Sequence, residues 1–208
     1  MSENIEQIQK QTFRYYYEDG LVELAVGILF AVIGLDTWLL SITTPGTPLA
    51  ITAWVLLPIL TIAGIIGVQR FVISFKDRLV HPRTGYIDYK TKPNRYRWLV
   101  IGFTLALTIS VIVLPYGWLK KGSVTGGMIL CVILASIGAQ VNLRRLIYIG
   151  LLGMILGFVL GFLPYSENAG LALTFVFTGL VMLITGGLAL RKYLAENPLT
   201  GDAGGNDA

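Results

Sequence analysis

The chain alternates between long apolar stretches without charge and short segments that carry nearly all of its charged residues. Five stretches contain no Asp, Glu, Lys or Arg: 37–69, 98–119, 122–143, 146–166 and 168–190. A helix crosses the hydrocarbon core of a bilayer with about 20 apolar residues, because each residue rises about 1.5 Å. Each of the last four stretches therefore predicts one transmembrane helix.

The first stretch is long enough for a helix and part of another. It contains Pro45-Gly46-Thr47-Pro48, a turn sequence that a helix interior does not tolerate. The helix before this turn begins near Leu21 and includes Glu23 and Asp36. The six predicted spans are 21–41, 49–69, 98–117, 123–142, 146–164 and 170–190.

The distribution of Lys and Arg predicts the orientation. With six spans, 14 of the 16 Lys and Arg residues fall on one side of the membrane, and Lys120 and Lys121 fall on the other. Because cytoplasmic loops are enriched in positive charge, both termini are expected in the cytoplasm of a cell-membrane protein. The same bias accounts for the basic pI near 9.2, so we expect contacts with the bilayer and anionic lipid headgroups and no nucleic-acid partner.

The remaining segments complete the expected domain organisation. Residues 1–20 predict an amphipathic helix on the membrane surface, 21–194 a six-span membrane domain, and 195–208 a disordered tail. Short outer turns pair the spans into three hairpins. The predicted fold is thus an all-α integral membrane protein with an interfacial helix and a basic cytoplasmic loop.

The second and third hairpins share a pattern that suggests an internal repeat. Arginines precede spans three and five, and Leu-Pro-Tyr ends both, at 114–116 and 163–165; the offset is 49 residues in both comparisons. Interfacial arginines and terminal Pro-Tyr pairs also recur in unrelated membrane proteins, so the repeat stays open.

The cytoplasmic loop 70–97 has two possible structures. Span two can continue as a helix up to the residue before Pro82, or 71–75 can pair as a strand with 86–90. Four side chains of this loop are candidates for docking a partner or a lipid headgroup. They are Arg78, His81, Arg83 and Tyr86.

Composition excludes most enzyme classes. The chain is 54% hydrophobic and 13% charged, with a mean hydropathy of +0.70, which a soluble globular domain does not reach. The single cysteine, Cys131, excludes an internal disulfide framework, and the single histidine, His81, excludes a multi-histidine metal site within one chain. Catalytic and phosphate-binding motifs are absent, so we expect no enzyme activity, no cofactor and no metal.

Ionisable side chains within a span are functional candidates by default. Glu23 lies in the first turn of span one, on the face that also carries Asp19 and Gly27. Asp36 lies about 22 Å along the helix from Leu21, nearer the outer interface than the midplane, where Lys120 or Lys121 can reach it.

Small residues four apart predict close helix packing, because helices in lipid associate by close backbone approach. Five positions on spans three and five form the candidate packing set. They are Gly102, Ala106, Gly153, Gly157 and Gly161.

Two functions fit these features. The first is a structural or regulatory membrane subunit that docks a protein partner on its cytoplasmic face. The alternative is a small permease or channel for an apolar or lipid-like solute, involving Glu23 or Asp36, since the spans offer few polar groups to a hydrophilic one. A homo-oligomer is compatible with both.

Overall fold

A computed structural model describes residues 17–80 and 121–198 of the chain. Within these ranges 89% of the residues are helical and no strand is present. Five helices are long and apolar enough to cross a membrane, which supports a multi-pass membrane protein. They are α1 (Leu21–Ile42), α2 (Pro48–Phe75), α3 (Gly122–Val141), α4 (Arg144–Phe162) and α5 (Glu167–Glu196).

The helices α1, α3 and α4 begin and end within two residues of the predicted spans. The helices α2 and α5 are longer than predicted, and α5 takes in the first two residues of the segment predicted as a disordered tail. The predicted span 98–117 lies outside the described residues, as does nearly all of the predicted interfacial helix. The count of six spans therefore stays a prediction.

Local sequence explains where the helices begin and end. Thr47 caps α2 because its side-chain oxygen accepts a hydrogen bond from the backbone N–H of Ala50 at 3.3 Å, and Ser166 caps α5 in the same way. Pro48 suits the first position of α2, where no N–H is needed. Asn142 adopts a left-handed conformation (φ 56°) that ends α3 and turns the chain into α4.

The helix α2 continues past its predicted end at residue 69. After Phe75 the chain forms a π-helical turn from Lys76 to Val80. No proline or glycine lies between Gly67 and Pro82 to stop the helix. Residues 71–75 are helical, so the alternative in which they form a strand is wrong, and the rest of the predicted loop lies outside the described residues.

The most extensive helix contacts join α1 to α5 and α3 to α4. The helix α1 also packs on α2, and α5 contacts both α3 and α4 less extensively. Two of the predicted hairpins, α1–α2 and α4–α5, are thus neighbours, although neither is the most closely packed pair. The hairpin that includes span 98–117 lies outside the described residues.

Two rows of small residues explain the close contact of α1 with α5. Gly20, Gly27 and Gly34 are spaced by seven residues, and they face Gly186, Gly179 and Ala172, which have the same spacing in the opposite direction. A Cβ atom on Gly27 would lie 2.9 Å from the carbonyl oxygen of Gly179. Because real Cβ contacts are longer, the two backbones approach this closely only without a side chain.

The helices are antiparallel at this seam, so the start of α1 and the end of α5 lie at one end of the bundle. The end of α2 and the start of α4 lie there too, because their side chains contact residues at the start of α1. We call this the basic end. Among the described residues, its Lys and Arg residues are Lys76, Arg78, Arg144, Arg145, Arg191 and Lys192.

Candidate functional site

Two carboxylates are buried at the basic end, where α1 begins. The side chain of Asp19 is fully buried and that of Glu23 is 1% exposed. Asp19 lies in the turn before α1 and Glu23 in the first turn of the helix, and both side chains are enclosed by the neighbouring helices. A buried carboxylate requires a cation or several hydrogen bonds to be tolerated, and each of these two is paired with a cation from a different helix.

Glu23 is paired with Arg145, in the first turn of α4. The Arg145 Nε atom donates to Glu23 Oε1 at 2.6 Å, and the Thr185 hydroxyl oxygen of α5 lies 3.5 Å from the other carboxylate oxygen. The Arg145 side chain is 29% exposed, so the ion pair is buried on its carboxylate side and partly open on its guanidinium side. This contact joins α1, α4 and α5.

The same guanidinium holds the segment that precedes α1. Arg145 Nη2 donates to the backbone carbonyl of Tyr17 at 2.6 Å. The chain then turns at Gly20 (φ 75°), whose N–H donates to the same carbonyl at 3.4 Å, as at the left-handed end of a helix. Burial raises the pKa of the Tyr17 hydroxyl, which keeps this side chain neutral. Arg145 therefore connects α4 to both sides of the turn at Gly20.

Asp19 is paired with Lys76, in the π-helical turn after α2. Lys76 Nζ lies 2.7 Å from Asp19 Oδ2, and the lysine side chain is 5% exposed. The other oxygen, Asp19 Oδ1, accepts a hydrogen bond from the backbone N–H of Leu21 at 3.1 Å. This contact attaches the end of α2 to the start of α1. We call Asp19, Glu23, Lys76 and Arg145 the ion-pair cluster.

The second predicted intramembrane carboxylate lies away from this cluster. Asp36 is 6% exposed, and its Oδ2 atom has no hydrogen-bond partner among the described residues. Lys121, considered above as a partner, instead donates to the carbonyl of Gly161, and its Nζ lies 5.5 Å from the centre of the Phe162 ring. Lys120 lies outside the described residues.

The candidate docking residues are only partly covered by the structure. Arg78 is exposed on the π-helical turn of the basic end. His81, Arg83 and Tyr86 lie outside the described residues, so their proximity to Arg78 stays a prediction.

The candidate packing residues of α4 are buried between helices. Gly157 lies against the backbone of Ser123 and Gly127 of α3, and Gly161 lies against Val124. Gly153 faces the Thr178 side chain of α5, whose oxygen would lie 3.1 Å from a Cβ atom at that glycine. Gly102 and Ala106 lie outside the described residues.

Sequence reasoning missed the cationic half of the cluster. The charge pattern assigns Lys76 and Arg145 to membrane topology and gives no signal for Thr185. The signal was present in the predicted topology, because six spans place both cations at the same end as Asp19 and Glu23. The identity of each pair depends on which helices touch, and the charge pattern does not contain that information.

The geometry of the ion-pair cluster indicates a fixed junction between helices. Both carboxylates form ion pairs, with Lys76 and Arg145. Within residues 17–80 and 121–198, no three His, Cys, Asp or Glu side chains lie close enough together to hold a metal ion. Comparison with known proteins adds no family to this description, since no family model matches the chain and no similar curated protein or solved structure was found.

Proposed function

We propose that this protein is a non-enzymatic membrane subunit that docks a protein partner at its basic end, and that this end faces the cytoplasm. The observation that carries the proposal is the length of two helices. α2 has 28 residues and α5 has 30, so they extend over about 42 and 45 Å, against a hydrocarbon core of about 30 Å.

The excess length falls at the basic end. At the opposite end, short turns join α1 to α2 and α4 to α5, which keeps the helix ends there close to one level. At the basic end, α2 is followed by the π-helical turn from Lys76 to Val80, and α5 continues ten residues past Gly186. Two helices therefore project beyond the level at which α1 and α4 begin.

The projecting segments carry exposed positive charge. Arg78, in the π-helical turn after α2, and Arg191, near the end of α5, are exposed on these segments, and Arg144 is exposed below them at the start of α4. A group of positive charges on rigid helices favours a partner with an acidic surface. Anionic lipid headgroups offer the same charge, and the test below distinguishes lipid from protein.

The ion-pair cluster supports a docking role because it fixes the base of one projecting helix. Lys76, which lies two residues before Arg78, is paired with Asp19. Glu23, in α1, is held by Arg145 and lies beside Thr185 of α5. A surface whose parts are held in place before binding loses less conformational entropy when a partner binds.

Native mass spectrometry of the protein, extracted gently from its host membrane, tests this proposal. We expect a stoichiometric second polypeptide with the wild-type chain, and its loss in a variant that combines Arg78→Glu with Arg191→Glu. Tyr165→Glu is the matched control, because it adds negative charge to an exposed residue at the opposite end and should retain the partner. A lone monomer, a homo-oligomer or a species with bound lipid only would contradict the proposal and favour the permease alternative.

A further inference from the structure

Asp36 differs from the other buried carboxylates of the described chain. Asp19 and Glu23 each contact a cation within 2.7 Å. Asp36 is also buried, at 6% exposure, but among the described residues no cation is paired with it. Its Oδ2 atom accepts no hydrogen bond there either. It lies six residues before the end of α1 at Ile42, or about 9 Å along the helix axis.

Among the described residues, the helices that pack on α1 bring no compensating charge to this level. α2 carries one ionisable side chain, Arg70, which is exposed and lies towards the basic end. α5 carries Glu167, which is exposed and itself negative, and its remaining charged residues are Arg191, Lys192 and Glu196 at the basic end. Lys121, which directly precedes α3, donates instead to the carbonyl of Gly161 in α4.

A carboxylate at this depth requires neutralisation, because an isolated charge in a bilayer is among the most costly groups to bury. A metal cation would need several oxygen ligands around it, and the described residues provide no group of three such side chains. A proton needs only one carboxylate oxygen. The unpartnered Oδ2 atom is therefore suited to a proton.

We propose that Asp36 is a proton-binding site in the membrane domain, exchanging its proton with the side of the membrane opposite the basic end. The short distance to Ile42 makes that side the shorter path. The site is separate from the docking surface, at the other end of α1. It therefore goes beyond the proposed docking function, and either can be wrong without the other.

Labelling with dicyclohexylcarbodiimide tests this site in the full chain in lipid vesicles. The reagent enters the apolar phase and reacts with a protonated carboxyl group. The carboxyl proton moves to a carbodiimide nitrogen, and the carboxyl oxygen bonds to the central carbon of the reagent. The acyl group then shifts from that oxygen to nitrogen. The stable product contains all atoms of the carboxylic acid and of the reagent. Peptide mass spectrometry then identifies the labelled residue.

We expect Asp36 to be labelled about tenfold more than the ion-paired Glu23. The label should fall as the pH is raised, vanish in Asp36→Asn, and remain on Asp36 in Glu23→Gln. A second variant controls for access of the reagent at the same depth. In Asp36→Asn, the added change Leu35→Asp places a carboxyl group on a neighbouring side chain that is 63% exposed on the outer face of the bundle.

Two results would overturn the proposal. If the Leu35→Asp control is labelled and wild-type Asp36 is not at any pH between about 5 and 9, Asp36 is ionised and held by a cationic group rather than by a proton. If labelling of Asp36 is suppressed by sodium or potassium ions at constant pH, the ligand is an alkali cation.

Discussion

Arg145 Nε lies 2.6 Å from Glu23 Oε1, although 122 residues separate the two in the chain. The same guanidinium donates to the carbonyl of Tyr17, so one side chain at the start of α4 holds α1 and the segment that leads into it. Beside it, Lys76 holds Asp19 and thereby the end of α2. The basic end of the bundle is thus joined by charge as well as by helix packing.

The Asp19–Lys76 pair predicts a large effect from a single substitution. Lys76→Ala leaves Asp19 buried without its cation, so we expect the free energy of unfolding to fall by about 3–5 kcal/mol. Denaturant unfolding in mixed micelles measures this loss. The control is Arg78→Ala, two residues further along at an exposed position, which should change the value by less than about 0.5 kcal/mol. Equal losses in both variants would show that the pair does not stabilise the fold.

The glycine rows of α1 and α5 predict a difference between two identical substitutions. Gly27→Ala brings a Cβ atom to 2.9 Å from the Gly179 carbonyl oxygen, and we expect a cost of about 1–3 kcal/mol. In Gly67→Ala the new Cβ atom meets nothing within 4 Å, and alanine favours a helix more than glycine does. The second variant should therefore unfold no more easily than the parent. A Gly27→Ala protein as stable as Gly67→Ala would contradict the close approach of the two helices.

The proposed orientation predicts which side of the membrane two exposed residues occupy. In a Cys131→Ser background, Arg191→Cys should react with a membrane-impermeant maleimide only after the cells are opened. Tyr165→Cys, at the other end of the bundle, should react in intact cells. If both cysteines react from the same side, the arrangement of the helices is wrong. If Arg191→Cys reacts in intact cells and Tyr165→Cys only after the cells are opened, the basic end does not face the cytoplasm.

The helices were largely predictable, and the errors have a physical cause. Charge-free stretches predicted α3 and α4 within two residues, because the bilayer core excludes charge over a fixed length. The turn at 45–48 placed the end of α1, which itself contains Glu23 and Asp36. The ends of α2 and α5 were placed too early because Arg70 and Arg191 ended those stretches. A helix can continue past the hydrocarbon core of the bilayer, because charged side chains are tolerated in the headgroup region and in water.

The candidate site was only half predictable for a different reason. Glu23 was identified because a carboxylate in a span is unusual. Arg145 is one of many basic residues at its end of the chain, and only the contact of α4 with α1 distinguishes it. The seven-residue spacing of Gly20, Gly27 and Gly34 was visible, but its match with Gly179 and Gly186 had to be recognised before α1 could be placed against α5.

A double-mutant cycle on Glu23 and Arg145 tests the central claim, which is that this ion pair holds the basic end together. The free energy of unfolding is measured for Glu23→Gln, Arg145→Gln and the double variant, with Arg144→Gln as an exposed neighbouring control. We predict a coupling energy of at least about 1 kcal/mol, with the double variant more stable than the sum of the single losses implies. Additive losses within about 0.5 kcal/mol, or a loss in Arg144→Gln as large as that in Arg145→Gln, would contradict the account.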